Sequence, residues 1–138
     1  MSDKPKIFLI DVTNRDGVQT SRICLSKLQK TMLNIYLNEM GISQTEFGFP
    51  LTRHETNYLN ANLELAKDDP LFTIRLEGWL RATKDDVKNA FKLVPSLKHV
   101  NLSISTSDQM ITNKFKGKLD HQSVIKEMEE AVKETRGL

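Results

Sequence analysis

The sequence has 138 residues, 38% hydrophobic and 28% charged, the balance of one ordinary globular domain. Lys plus Arg is 20 and Asp plus Glu is 18, a net charge of +2, and the bases are interleaved with acids, which excludes a basic nucleic-acid-binding arm. A single cysteine, Cys24, excludes an internal disulfide framework and a cysteine-cluster zinc site. The early apolar run Ile7–Ile10 is too short to cross a bilayer, and no signal-peptide layout is read. The expectation is a cytoplasmic protein with neither a membrane nor a nucleic-acid partner.

The hydrophobic period alternates along the chain. Residues 7–12 form a short apolar run and read as a buried strand. Ser26 with Gln29 is a capping box. Leu28, Met32, Ile35, Tyr36 and Met40 follow at helical spacing, and Gly41 is a natural stop. This predicts a helix over 27–40 whose Met and Tyr stripe packs on the sheet. Cys24, just before it, reads as a small buried apolar residue.

A second strand is predicted over 45–49, closed by Pro50. Thr52 with Glu55 is a second capping box, and Tyr58, Leu59, Leu63 and Ala66 give the second helix its stripe. Asp68–Pro70 is a turn, and a third strand lies within 72–80. Thr83 with Asp86 opens a third helix carrying Val87, Ala90, Phe91 and Val94, stopped by Pro95. The fourth strand is predicted over 100–104. Asp120 opens a fourth helix with Val124, Ile125, Met128 and Val132, and Gly137 is its expected C-terminal cap.

Four strand–helix units of this kind imply a parallel sheet with right-handed crossovers. A (β/α)8 barrel needs eight units and about 250 residues. Four units ending on a helix read as the first half of such a barrel, cut at a unit border. The fold class expected is therefore α/β, of TIM-barrel type, with one half-barrel over 1–138 and no second domain.

Chemistry in such sheets sits beyond the C-terminal ends of the strands. Asp11–Gln19 follows strand 1, Glu46 and the Gly48–Pro50 turn mark strand 2, and Glu77 and Arg81 lie on strand 3. Asn101, Ser103, Thr106, Ser107 and Asp108 lie on and after strand 4. Within this polar ring an Asp at a strand end can bind a divalent cation, and an Arg beside it can stabilise a developing oxyanion. From the residues alone, Asp16–Gly17 can equally be a plain turn with Arg15 in a surface ion pair.

The stretch Asp11–Gln19 resembles the D-x-T-x-R-D-G-x-Q signature of the DRE-TIM metallolyases. This is the group of homocitrate synthase, Re-type citrate synthase, isopropylmalate synthase and hydroxymethylglutaryl-CoA lyase. Glu46–Pro50 resembles the second-strand G-F-P turn of the family. Leu80–Asp86 resembles its R-A-x-x-x-D segment, Ser103–Asp108 its T-S-D stretch, and Lys114–Leu119 the basic segment after it. The match runs from about residue 6 to the end.

The resemblance implies a Claisen condensation of acetyl-CoA with a 2-oxo acid, helped by a divalent metal (Mn, Mg or Zn). It makes Asp16 a metal ligand and Arg15 the catalytic group at the enolate or carbonyl oxygen. Gln19 would lie in the substrate pocket, and Thr106 and Ser107 would bind a substrate carboxylate. Glu77, placed among the catalytic residues, stands where relatives often carry a His. Glu46 and Arg81 either line the substrate pocket or form an ion pair bracing the barrel. Asn101 either faces substrate or ties backbone groups together. The H-x-H metal motif of the family's seventh strand is missing, as a truncated barrel predicts, and His54, His99 and His121 read as surface or boundary residues. The Asn14 form of the signature is most like the homocitrate and Re-type citrate synthases. Two alternatives remain: an inactive half-barrel that self-associates as a homodimer, and a carbon–carbon lyase, although the lyases read P-R-D-G-L-Q at this place.

Overall fold

A computed structural model of the chain describes residues 5 and 7–138. The strands are β1 (Ile10–Asp11), β2 (Gln44–Gly48), β3 (Arg75–Arg81) and β4 (His99–Ser103). They form one parallel sheet in the order β1-β2-β3-β4, so each strand pairs with its neighbour in sequence. The helices are α1 (Lys27–Glu39), α2 (Arg53–Asp68), α3 (Lys84–Leu93), α4 (Asp108–Lys114) and α5 (His121–Gly137). This is the architecture expected of the first four units of a β/α barrel. No helix among the described residues is long and apolar enough to cross a membrane.

One face of the sheet carries the core. Phe47, Leu76, Tyr58 and Leu59 pack together with Leu37, Ile74, Val94 and Leu97. Leu80, Ala82, Val87, Ala90 and Ala131 form a second cluster between β3, α3 and α5. Gly78 lets the loop after β2 come close, since a Cβ built there would lie 3.0 Å from Pro50 Cγ.

Local signals explain most of the helix starts. The Ser26–Gln29 capping box forms in both directions. Thr83 accepts from the Asp86 N–H, and Asp120 accepts from the Ser123 N–H. Gly41 takes φ +74°, which a side chain would resist, and ends α1.

Several expectations are corrected. Thr52 occupies the N-cap of α2, but its hydroxyl caps no backbone N–H. Helix α5 runs through Gly137 instead of being capped by it. The short helix α4 and a 3₁₀ turn at Gly17–Gln19 were not foreseen. The strand read over 7–12 is regular only at Ile10–Asp11, and Ile7–Ile10 are exposed, because β1 is an edge strand that among the described residues pairs only with β2. Cys24 is exposed.

The largest correction concerns α1. Leu28, Tyr36 and Met40 are 71%, 52% and 74% exposed, whereas the buried residues are Lys30, Asn34 and Leu37. The inward face of α1 is largely polar because α2 offers it Glu55, Tyr58 and Asn62 as partners.

Candidate active site on the inner face of the sheet

Alternation along a strand sends successive side chains to opposite faces. Phe47, Leu76 and Leu80 point at the helices. Gln44 and Glu46, then Arg75, Glu77, Trp79 and Arg81, then His99, Asn101 and Ser103 share the other face. The register puts Glu46 beside Glu77 and Glu77 beside His99, with Trp79 beside Asn101 and Arg81 beside Ser103. An irregularity between Glu46 and Gly48 shifts the β2–β3 register at that point.

The loop after β1 closes over this face. The N–H groups of Arg15, Asp16 and Gly17 all donate to the Val12 carbonyl, at 3.2, 2.8 and 3.1 Å. Arg15 leaves this turn and lays its guanidinium 3.8 Å from the centroid of the Trp79 ring. Its Nη1 lies 2.7 Å from Asp16 Oδ1, and its Nε 4.0 Å from Glu46 Oε2. Glu46, itself buried, also accepts from Asn101 Nδ2. Arg15, Asp16, Glu46, Trp79 and Asn101 are thus linked in one constellation. The cation is held by a π face and two carboxylates.

Glu77 stands beside this group and accepts from Gln44 Nε2 at 3.2 Å. Burial raises the pKa of its carboxyl above the ordinary value; the Arg75 charge opposes that shift and the Glu46 charge adds to it. His99 is shifted down, first by burial and then by the charges of Arg75 and Lys98.

The remaining expected residues are placed less centrally. Arg81 does not pair with Glu46. It forks onto Asp86 at the start of α3, with Nε to Oδ2 at 2.6 Å and Nη2 to Oδ1 at 2.8 Å. Gln19 is exposed and shares a cavity of about 230 Å3 with Asn14, Arg15, Lys30 and Glu55. Ser107 caps α4 by accepting from the Met110 N–H at 3.3 Å. Thr106 lines an apolar groove with Ile104, Val124 and Met128. Asn101 bonds a side chain, so the backbone-tying alternative is not what forms.

Two features escaped the sequence reading. Trp79, the platform under Arg15, lies midway between Glu77 and Arg81 in the strand alternation, and that period of two was the available signal. The buried partners of Asn14 on α1 and α2 carried no motif.

A divalent cation needs several oxygen or nitrogen donors. Among the described residues no three His, Cys, Asp or Glu side chains gather into such a set. Asp16 is a single carboxylate, its side chain 62% exposed and already paired with Arg15. These residues do not make a complete metal site by themselves.

Consecutive parallel β/α units, a polar inner face and a charged loop at the C-terminal end of β1 define half of a β/α barrel, with charged residues at the end where such barrels bind ligands. Residues 6–138 match the family described as HMGL-like, and the chain belongs to that family. It is 62% identical over 127 residues to the citrate (Re)-synthase of Dehalococcoides mccartyi (strain CBDB1), covering 92% of this chain and 31% of that protein. It is 34% identical over 134 residues to 2-isopropylmalate synthase 2 of Caldanaerobacter subterraneus subsp. tengcongensis, covering 95% of this chain and 32% of that protein. A homocitrate synthase of Methanocaldococcus jannaschii is 43% identical over 49 residues, 36% of this chain and 12% of that protein. The chain therefore spans about a third of the length of the first two relatives.

Proposed function

We propose that this chain is the N-terminal half of the catalytic barrel of an acyltransferase that condenses acetyl-CoA with a 2-oxo acid, citrate being the product as in a Re-type citrate synthase. The observation that carries the reading is Arg15, held on the inner sheet face between Trp79 and Glu46. The identity to the citrate (Re)-synthase supports the choice of acid.

In this reaction the acetyl methyl group loses a proton, and the resulting enolate carbon bonds to the keto carbon of the acid. The keto oxygen becomes an alkoxide and takes up a proton. Water then cleaves the thioester and releases the CoA thiol. Arg15 offers guanidinium N–H groups to the oxygen on which charge develops. Trp79 beneath and Glu46 beside it fix the direction of those donors before substrate arrives. Glu77, whose carboxyl burial holds above its ordinary pKa, lies beside this group and is placed to hold or move a proton there. Glu46 and Asn101 form the wall of the acid pocket, and Gln19, Arg81, Thr106 and Ser107 its outer rim. Asp16 would supply a single carboxylate towards a divalent metal, and the chemistry such an ion would bring is polarisation of a carbonyl. Because its described residues gather no complete ligand set, the chain is expected to be inactive alone. The β1 and β4 edges, which among the described residues pair with no further strand, suit pairing with a second copy in a cytoplasmic homodimer. Light scattering that returns a monomer at every concentration sinks that part.

The test is a graft of this chain in place of the corresponding segment of the Dehalococcoides citrate (Re)-synthase. Thiol release from acetyl-CoA is followed with Mn2+, Mg2+ or Zn2+ and a panel of 2-oxo acids. Arg15→Gln is expected to lower kcat by about 10²–10³, and Asp16→Asn to raise the metal concentration needed for half-maximal activity. Full activity in Arg15→Gln refutes the reading.

A further inference from the structure

Asn14 is fully buried although Asp16, two residues on, is exposed. Its Nδ2 contacts the Lys30 carbonyl at 2.9 Å, Asn34 Oδ1 at 2.8 Å and the Tyr58 hydroxyl at 3.4 Å. Asn34 Nδ2 in turn donates to the Tyr58 hydroxyl at 2.8 Å and to Asn62 Oδ1 at 2.9 Å. Asn62 Nδ2 contacts Thr31 Oγ1 and the Tyr58 carbonyl, both at 3.0 Å. Lys30 Nζ bonds Glu55 at 2.8 Å and lies 4.6 Å from the centroid of the Tyr58 ring. A buried polar chain thus runs from the β1 loop through α1 to α2.

Such a chain is a costly way to join two helices. Apolar side chains of similar volume would bury there without desolvating amides, so stability alone does not call for it. What a directional network adds is a defined position for the groups it ends on. Here it ends on Asn14, and the next residue is Arg15. The two side chains leave the loop in opposite directions, Asn14 into the helix layer and Arg15 onto Trp79. A shift of Asn14 turns the Val12-centred loop and moves the guanidinium.

We propose that Asn14 is a positioning residue: held by Asn34 and Tyr58, it sets where Arg15 lies across Trp79 and beside Glu46. This rests on the reading of Arg15 as the group at the reacting oxygen, but its test needs no substrate. Trp79 is the only tryptophan of the chain, so its emission and its quenching by acrylamide report the guanidinium above it.

Four variants of the 138-residue chain decide the matter: Arg15→Gln, Asn14→Leu, Tyr58→Phe and the double variant Asn14→Leu/Arg15→Gln. Far-UV circular dichroism confirms that each is folded. Asn14→Leu is expected to raise quenching towards the Arg15→Gln value, and to change nothing further when Arg15 is already gone. Tyr58→Phe, which removes only a hydroxyl, is expected to shift quenching the same way by less, and it decides the question if Asn14→Leu does not fold. Quenching unchanged in the folded variants, or an Asn14→Leu shift of equal size in the Arg15→Gln background, overturns the proposal. If Arg15→Gln leaves thiol release intact in the grafted enzyme while quenching behaves as expected, the reading of the active site fails and the positioning role stands.

Discussion

Asn34→Leu places an apolar residue in the layer between α1 and α2, yet it is expected to destabilise the protein. Asn34 donates to the Tyr58 hydroxyl and to Asn62 Oδ1, and accepts from Asn14 Nδ2. With leucine there, Asn62 Oδ1 loses its donor. The Tyr58 hydroxyl keeps only the 3.4 Å contact from Asn14, and Asn14 still reaches the Lys30 carbonyl. Two buried acceptors are thus orphaned or weakened, at about 1–3 kcal/mol each. The added apolar burial returns about 1–2 kcal/mol. The net loss expected is about 2–3 kcal/mol, a large fraction of the margin of a single domain. With a urea m-value of about 1–3 kcal/mol/M, the midpoint falls by roughly 0.7–3 M. Circular dichroism and Trp79 fluorescence should give coincident transitions. Asn62→Leu added to Asn34→Leu should cost less than Asn62→Leu alone, because the two share a bond. A midpoint for Asn34→Leu at or above that of the unsubstituted chain refutes the reasoning.

Tyr36→Ala and Met40→Ala, on the exposed side of α1, should each change stability by less than about 0.5 kcal/mol; a core-sized loss in thermal denaturation would restore the periodicity reading of that helix. Glu77 has a folded-state pKa above its unfolded one, so its ionisation weakens the fold as pH rises through and beyond the ordinary carboxyl range. Glu77→Gln should therefore raise the melting temperature at neutral pH, and that gain should vanish in acid; a gain that persists or grows in acid contradicts it. Asp86→Asn loses the charge that Arg81 forks onto and an acid in the first turn of α3, and should cost about 1 kcal/mol, less at high salt. A loss insensitive to salt would show that packing, not charge, is involved.

The strand–helix order and most boundaries were legible because each rests on a local device. Ser26, Thr83 and Asp120 each carry an oxygen that caps the following helix, and Gly41 supplies a positive φ. The polar ladder of Glu46, Glu77, Arg81 and Asn101 follows from strand alternation. Which face of α1 turns inward was not legible. Lys30, Asn34 and Leu37 recur at helical spacing as regularly as Leu28, Met32, Tyr36 and Met40. The choice between the two faces is made by Glu55, Tyr58 and Asn62 on another helix. Thr52 and Glu55 show the same limit: the box pattern is present, but Glu55 is drawn to Lys30 and the Thr52 hydroxyl caps nothing. Arg81 is similar, since an arginine on a strand can reach across the sheet or along it, and Asp86 decides.

The sheet order repeats the sequence order, with no strand inserted between two earlier ones. As the chain emerges from a ribosome, β2 finds β1 already present, β3 finds β2, and β4 finds β3. Among these four strands none must wait for a distant partner, and the loops to be closed between them stay short. Assembly can therefore proceed by accretion, each new unit docking on a surface laid down by the one before.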